Sequence, residues 1–201
     1  MLIQTTAPTG QIITTADAKA RLNVAGTAED AMIAAMIATA QAKLDGREGD
    51  LNRALLPQSW QWTAHCFEAM ADPDGSTIYL PLPPSRTVTE IAYVNTAGAT
   101  VILSPSAYVV IPGGYHGDLV IPAAGTQWPT SLADRPDAAR IKFDCGYLNA
   151  AAIPPPIGQA LFLMVGDMYA QRETFAFGVP MPVPMSVTVE ALLDPYRVRS
   201  L

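Results

Sequence analysis

A chain of 201 residues with a formal charge of −6 suits one domain, or one domain with a sizeable insertion. That charge argues against sequence-independent nucleic-acid binding, which relies on Lys and Arg displacing phosphate counterions. Half the residues are apolar, which is globular rather than disordered, and Cys66 and Cys145 are too few for a disulfide framework or a zinc site.

No apolar run approaches the ~20 residues that span a bilayer, because Asp167 interrupts the best candidate, so no membrane is expected. The first residues, Met1-Leu2-Ile3-Gln4-Thr5-Thr6, lack the basic and long apolar parts of a signal peptide, which implies synthesis in the cytoplasm. The two cysteines read as reduced structural thiols that a sheet is able to bring near each other.

Residues 1–13 read as an extended arm. Thr14 opens a helix, with Asp17 completing a capping box and Leu22 packing inward. Thr27 repeats the device with Asp30, and Glu29 and Asp30 suit the positive end of a helix dipole. The helix that follows carries Met32, Ile33, Met36, Ile37, Ala40 and Leu44 on one stripe and stops at Gly46 or Gly49. Its other face is Ala31, Ala34, Ala35, Ala38 and Ala42, explained either by helix propensity or by close packing against a neighbouring subunit.

From Gln58 the period changes to two. Trp60, Trp62, Ala64 and Cys66 alternate with Ser59, Gln61, Thr63 and His65, the pattern of a half-buried strand. Strands are expected at 77–82, 88–95, 100–103, 108–111, 118–121 and 138–144, with turns at 71–76, 96–99 and 112–117. Pro154-Pro155-Pro156 then opens a helix over 157–173 whose residues Ile157, Leu161, Met164, Val165, Met168 and Tyr169 share one face. Ala160, Phe162 and Leu163 widen that stripe until more than one neighbour must cover it. Pro180, Pro182 and Pro184 alternate through an extended tail, and residues 190–194 form one more helical turn before Pro195.

Catalytic constellations are thin. His65 falls on a strand and His116 in a glycine-rich turn, and no Gly-x-Ser-x-Gly elbow, His-Glu-x-x-His, Cys-x-x-Cys or dinucleotide fingerprint is present. Asp72-Pro73-Asp74-Gly75 echoes the start of a calcium loop without its later ligands, and reads as a turn. Asp167 is an acid in the most apolar helix, which implies an exposed edge or a pairing with Arg172 or Arg140. The residues describe a binding or structural protein with no cofactor or metal, not an enzyme.

The order of segments resembles the tailed-phage head–tail connector (adaptor) family, also found in prophages and gene transfer agents. The resemblance runs through residues 13–24 with Glu29-Asp30, Arg53-Ala54-Leu55-Leu56-Pro57-Gln58-Ser59-Trp60, Ile78-Tyr79-Leu80-Pro81 and Ala138-Ala139-Arg140-Ile141-Lys142-Phe143. It continues through Ile153-Pro154-Pro155-Pro156-Ile157, Asp167-Met168-Tyr169 and Ala191-Leu192-Leu193-Asp194-Pro195-Tyr196-Arg197. The proline-rich insert before the terminal helix and the second proline–glycine hairpin depart from the family pattern.

What the resemblance implies is an α+β fold: a small helical bundle with an inserted antiparallel β-rich unit and an extended C-terminal tail. The divisions are 1–57 (arm and helices), 58–147 (β-rich unit), 148–173 (core helix) and 174–201 (tail). It also implies a virion component at the capsid–tail junction, a homo-oligomeric ring, dodecameric in the family, on the portal protein. The next neck or tail-completion protein attaches beyond the ring, and DNA passes its lumen without specific binding. The C-terminal segment would reach the portal through Ala191, Leu192, Leu193, Tyr196, Arg197, Arg199 and Leu201, and its removal would leave the rest folded. Candidates for subunit contact are Ala34, Ala38, Gln41 and Asp167. The competing expectations are a carbohydrate- or receptor-binding β module of a phage tail, presenting Trp60, Trp62, Trp128 and Tyr115, and an enzyme pairing His65 or His116 with a carboxylate.

Overall fold

The computed structural model describes residues 1–113, 117–171 and 186–198. The chain is mixed α/β with antiparallel sheets, and it divides into two compact units, each discontinuous in sequence.

The first unit comprises Met1–Thr9 and Pro57–Tyr147. Its strands are β1 (Leu2–Thr6), β2 (Gln58–Ala64), β3 (Ile78–Tyr79), β4 (Ser85–Val94), β5 (Thr100–Ile102), β6 (Tyr108–Ile111), β7 (Leu119–Pro122) and β8 (Ala139–Cys145). Among the described residues they form a five-stranded sheet in the order β1-β2-β8-β4-β5 and a three-stranded sheet in the order β3-β7-β6. The last strand in sequence is central because it alternates most cleanly: Ala139, Ile141, Phe143 and Cys145 are buried, and Arg140, Lys142 and Asp144 are half-exposed. Register sets Trp60 opposite Phe143 and Trp62 opposite Ile141, so a slip of one residue would turn the whole apolar set to solvent. Phe67 anchors the core, stacked on Trp128 at 5.1 Å with Tyr93 edge-on at 6.5 Å.

Both hairpins form, β4–β5 and β6–β7. In the first, the Asn95 side chain accepts from the Ala97 and Ala99 N–H groups at 3.0 and 2.9 Å, and Gly98 takes the left-handed position at φ 79°.

The arm expected over 1–13 is extended, but Leu2–Thr6 is a paired edge strand on β2. This pairing also buries Thr63, expected on the outer face, because its N–H and hydroxyl bond the Met1 carbonyl at 2.8 and 3.3 Å. β2 ends at Ala64, so His65 and Cys66 lie beyond the strand. Cys145 pairs with Gln58 at the other end of that ladder, and neither cysteine is in a disulfide.

The second unit comprises Gly10–Leu56 and Leu148–Leu201. Its helices are α1 (Thr15–Leu22), α2 (Asp30–Leu44), α3 (Pro155–Ala170) and α4 (Val187–Leu193), the last continued by a 3-10 turn over Asp194–Tyr196. The capping box is formed: Asp17 N–H donates to the Thr14 hydroxyl at 3.1 Å, and the Asp17 carboxylate accepts from Thr14 N–H at 3.4 Å. The second expected box is not. Glu29, not Thr27, occupies the N-cap of α2 and its side chain makes no capping hydrogen bond, while the Asp30 carboxylate is held 2.5 Å from the Lys19 ammonium. α2 ends at Leu44, where the Asp45 carboxylate turns to accept from Leu55 N–H at 2.7 Å. Ile33, Ile37, Ala40 and Leu44 of α2 are buried, as are Ile157, Ala160, Leu161, Met164 and Val165 of α3. Tyr169 ties the two helices by donating to Glu29 at 2.6 Å. The terminal turn expected over 190–194 is a longer helix because Ser186 caps it, accepting from Val189 N–H at 3.3 Å.

On the polar face of the five-stranded sheet, Glu90 lies 2.9 Å from Arg140 and 3.2 Å from Lys142. Burial pushes its carboxyl up, but the Lys142 hydrogen bond and the Arg140 charge outweigh it, leaving Glu90 below the ordinary glutamate value. The stabilisation is therefore complete above that ordinary value and is lost as pH falls through the depressed folded-state value. Glu90→Gln is expected to cost about 1 kcal/mol at neutral pH and to weaken the acid dependence of the unfolding midpoint, read by thermal melts across pH 2–7.

Candidate functional site

Among the described residues, no group of three or more His, Cys, Asp or Glu is placed to hold a metal ion. His65 is exposed just past β2, and Tyr115 and His116 lie outside the described residues. The calcium-loop echo is a tight turn: the Asp74 carboxylate accepts from Ser76 N–H, the Ser76 hydroxyl and Thr77 N–H at 2.7, 2.8 and 3.2 Å. A hydrogen bond between the two carboxyls pushes Asp72 up and, with the Ser76 bonds, holds Asp74 far below the usual range. The Asp74 carboxylate is thus spent on the turn itself.

The aromatic residues do not form one platform. Trp60 and Trp128 are buried, and their ring N–H groups donate to the Gln58 side chain at 2.9 Å and the Ser76 carbonyl at 2.8 Å. Trp62 alone of the three tryptophans is half-exposed.

The C-terminal candidates are split by burial. Leu193 is fully buried together with Val189, whereas Ala191 is exposed and Leu192 and Tyr196 are half-exposed. Arg199 and Leu201 lie outside the described residues. Arg197 is clasped by its own subunit: its guanidinium donates to the Asp50 carbonyl at 3.1 Å and to Glu190 at 3.3 Å. Val198 N–H donates to the Leu51 carbonyl at 2.9 Å, and Asn52 returns a side-chain bond to the Val198 carbonyl at 3.3 Å. Arg53, almost wholly buried, donates to the Tyr196 carbonyl at 3.2 Å. Residues 50–53 are the receptor of this clasp, and sequence reasoning missed them. The available signal was Arg53 itself, a cation beside the apolar run Ala54-Leu55-Leu56, which demands buried acceptors. These bonds tie the terminal segment to residues 50–53 of its own unit, a feature the expectation that it is removable did not include.

Of the subunit-contact candidates, Ala38 and Asp167 are exposed and Ala34 is half-buried. Gln41 is an internal tether: its side-chain carbonyl accepts from Ile12 N–H at 3.1 Å, and its amide reaches the Gly10 carbonyl at 3.5 Å. Asp167 is exposed and Arg140 is paired with Glu90, while Arg172, the other expected partner, lies outside the described residues. Next to Asp167, Arg21 lies 5.0 Å over the half-exposed Phe162 ring, between two hollows that open beside α1 and α3.

No family model and no curated protein matches the chain. Solved structures do. A chain in the neck of an empty gene transfer agent particle, computed with C6 symmetry, aligns at a TM-score of 0.74 and 24% identity, covering 100% of this chain and 97% of its own. A chain in the virion of a native gene transfer agent particle aligns at 0.72 and 24% over the same shares. A chain in the neck of a native particle computed with C12 symmetry aligns at 0.67 and 22%, again over 100% and 97%. Along its full length, the chain has the fold of chains found in gene transfer agent particles, in agreement with the resemblance read from its sequence.

Proposed function

We propose that this protein is a head-to-tail connector of a phage-like particle, a structural component that forms a ring, dodecameric by family resemblance, on the portal. It joins the capsid vertex to the neck or tail and catalyses no reaction. The observation that carries the reading is the full-length fold likeness to particle-neck chains, two of them in necks computed with C6 and C12 symmetry. In this reading the helical unit is a small bundle and residues 58–147 are its β-rich insertion. The protein is made in the host cytoplasm and resides at the capsid–tail junction, with the next tail-completion protein beyond it. Its net charge of −6 suits a lumen through which DNA passes without adhering.

The burial pattern refines the portal-facing candidates. Leu193 and Arg197 serve the subunit, which leaves Ala191, Leu192 and the Tyr196 ring as the side chains on offer. The carbohydrate-binding alternative loses support from the burial of Trp60 and Trp128.

Mixing the full chain with its cognate portal is expected to add a ring visible by electron microscopy. Ala191→Arg with Tyr196→Ala is expected to weaken attachment at least tenfold while leaving the melting temperature within a few degrees; attachment at wild-type strength would sink the assignment. Truncation after Glu190, by contrast, removes Leu193 and the clasp, and is expected to cost about 3–5 kcal/mol in denaturant unfolding. A truncated chain as stable as the full one would show the clasp to be dispensable.

A further inference from the structure

Edge strands are ordinarily kept short or polar, because an open row of N–H and C=O groups pairs with any strand offered to it. β1 ends in Gln4-Thr5-Thr6 and β5 has three residues, but β6 has neither protection. It is the last strand of its sheet among the described residues, and Tyr108-Val109-Val110-Ile111 carries no charge. Val109, Val110 and Ile111 are 45%, 37% and 39% exposed, so apolar surface is open on both faces of the strand. Register sets Ile111 in line with Leu119 and Tyr79, and Val109 beside Ile121, which makes one sheet face of five part-exposed apolar side chains. The Ala123 N–H donates to the Ala107 carbonyl at 3.0 Å. By the alternation of an antiparallel ladder, Val109 and Ile111 then bond β7, whereas Tyr108 and Val110 turn their backbone groups to the open edge.

The sequence holds a segment suited to one such edge. Residues 172–185 lie outside the described residues, between α3 and α4, and they end in Val179-Pro180-Met181-Pro182-Val183-Pro184-Met185. Proline fixes its own φ and bars the residue before it from the helical region, so this alternation favours extended backbone throughout. In a strand, successive residues turn their N–H groups to opposite edges. Pro180, Pro182 and Pro184 therefore blank one edge, while Val179, Met181, Val183 and Met185 keep every donor on the other. Such a strand pairs once and then closes the sheet. Its side chains are apolar on both faces, as those of β6 are, and at about 3.3 Å per residue it is long enough to cover all of β6.

We infer that residues 179–185 of one copy add to the open edge of β6 in the next copy, as a fourth strand of the sheet β3-β7-β6. Backbone bonds to Val110 supply the attachment, and the apolar side chains on either face supply the burial. Each copy gives one strand and receives one, so the contact is head-to-tail and propagates around a ring. This inference rests on the ring reading above and names its subunit contact.

The test is photo-cross-linking of the full chain assembled on its cognate portal, with p-benzoylphenylalanine in place of Val183. Unlabelled and heavy-nitrogen-labelled copies are mixed before assembly, and the linked peptides are identified by mass spectrometry. The expected product joins position 183 to residues 108–111 in mixed light–heavy pairs. Val110→Pro removes an outward N–H that β7 does not use. It is expected to reduce the mixed pairs several-fold while leaving the melting temperature of the unassembled chain within a few degrees, and Val110→Ala is expected to keep them. Met181→Pro, which removes a donor from the pairing edge of the segment, is expected to reduce them likewise. No link to residues 108–111, or an undiminished one in both proline variants, overturns the strand addition. Links confined to light–light and heavy–heavy pairs overturn the exchange between copies. Rings imaged on the portal without mixed pairs overturn the exchange alone; neither rings nor mixed pairs overturns the ring reading with it.

Discussion

Helix α3 carries more apolar surface than one neighbour can cover, and the helical unit is arranged around that excess. Ile157, Ala160, Leu161, Met164 and Val165 are buried, and α1, α2 and α4 all pack against this helix. Residues 148–170 supply the helix and residues 10–56 supply two of its covers, so the unit is assembled from chain segments far apart in sequence. Among the described residues the strip holding Gly158, Phe162 and Gly166 stays half-exposed, with Arg21 over the Phe162 ring.

The clasp on the terminal segment follows from a second constraint, that a buried guanidinium must meet acceptors. Arg53 finds the Tyr196 carbonyl, and Arg197 reaches back to the Asp50 carbonyl and Glu190. The two arginines cross-tie residues 50–53 to 196–198, with Val189 and Leu193 sealing the apolar side. A terminal segment that resembled an interface arm in sequence is here a structural latch with a narrower outward face.

Local chemistry was legible in the sequence. Thr14 and Asp17 lie three apart and cap one another, Asn95 and Gly98 close their hairpin, and the period of α3 survives intact because each depends only on near neighbours. Non-local chemistry was not. The pairing of Leu2–Thr6 needs β2, more than fifty residues away, and nothing in Leu2-Ile3-Gln4-Thr5-Thr6 names that partner. Glu29, not Thr27, takes the cap position, and Lys19, on the previous helix, takes Asp30. The site divided likewise: an uncharged face on α2 was visible, whereas the use of Gln41 as a tether depended on where Gly10 and Ile12 return.

The discontinuity of both units has a consequence for synthesis. Residues 57–147 with the first strand have emerged well before the chain is finished, so the sheet unit is free to form during translation. In the helical unit Leu51–Arg53 bond residues 196–198, a loop closed only after those later residues have emerged from the ribosome. The sheet is therefore the early product and the helices the late one. A chain stopped before residue 196 would carry every strand of the sheet but lack the bonds that tie residues 50–53 to 196–198.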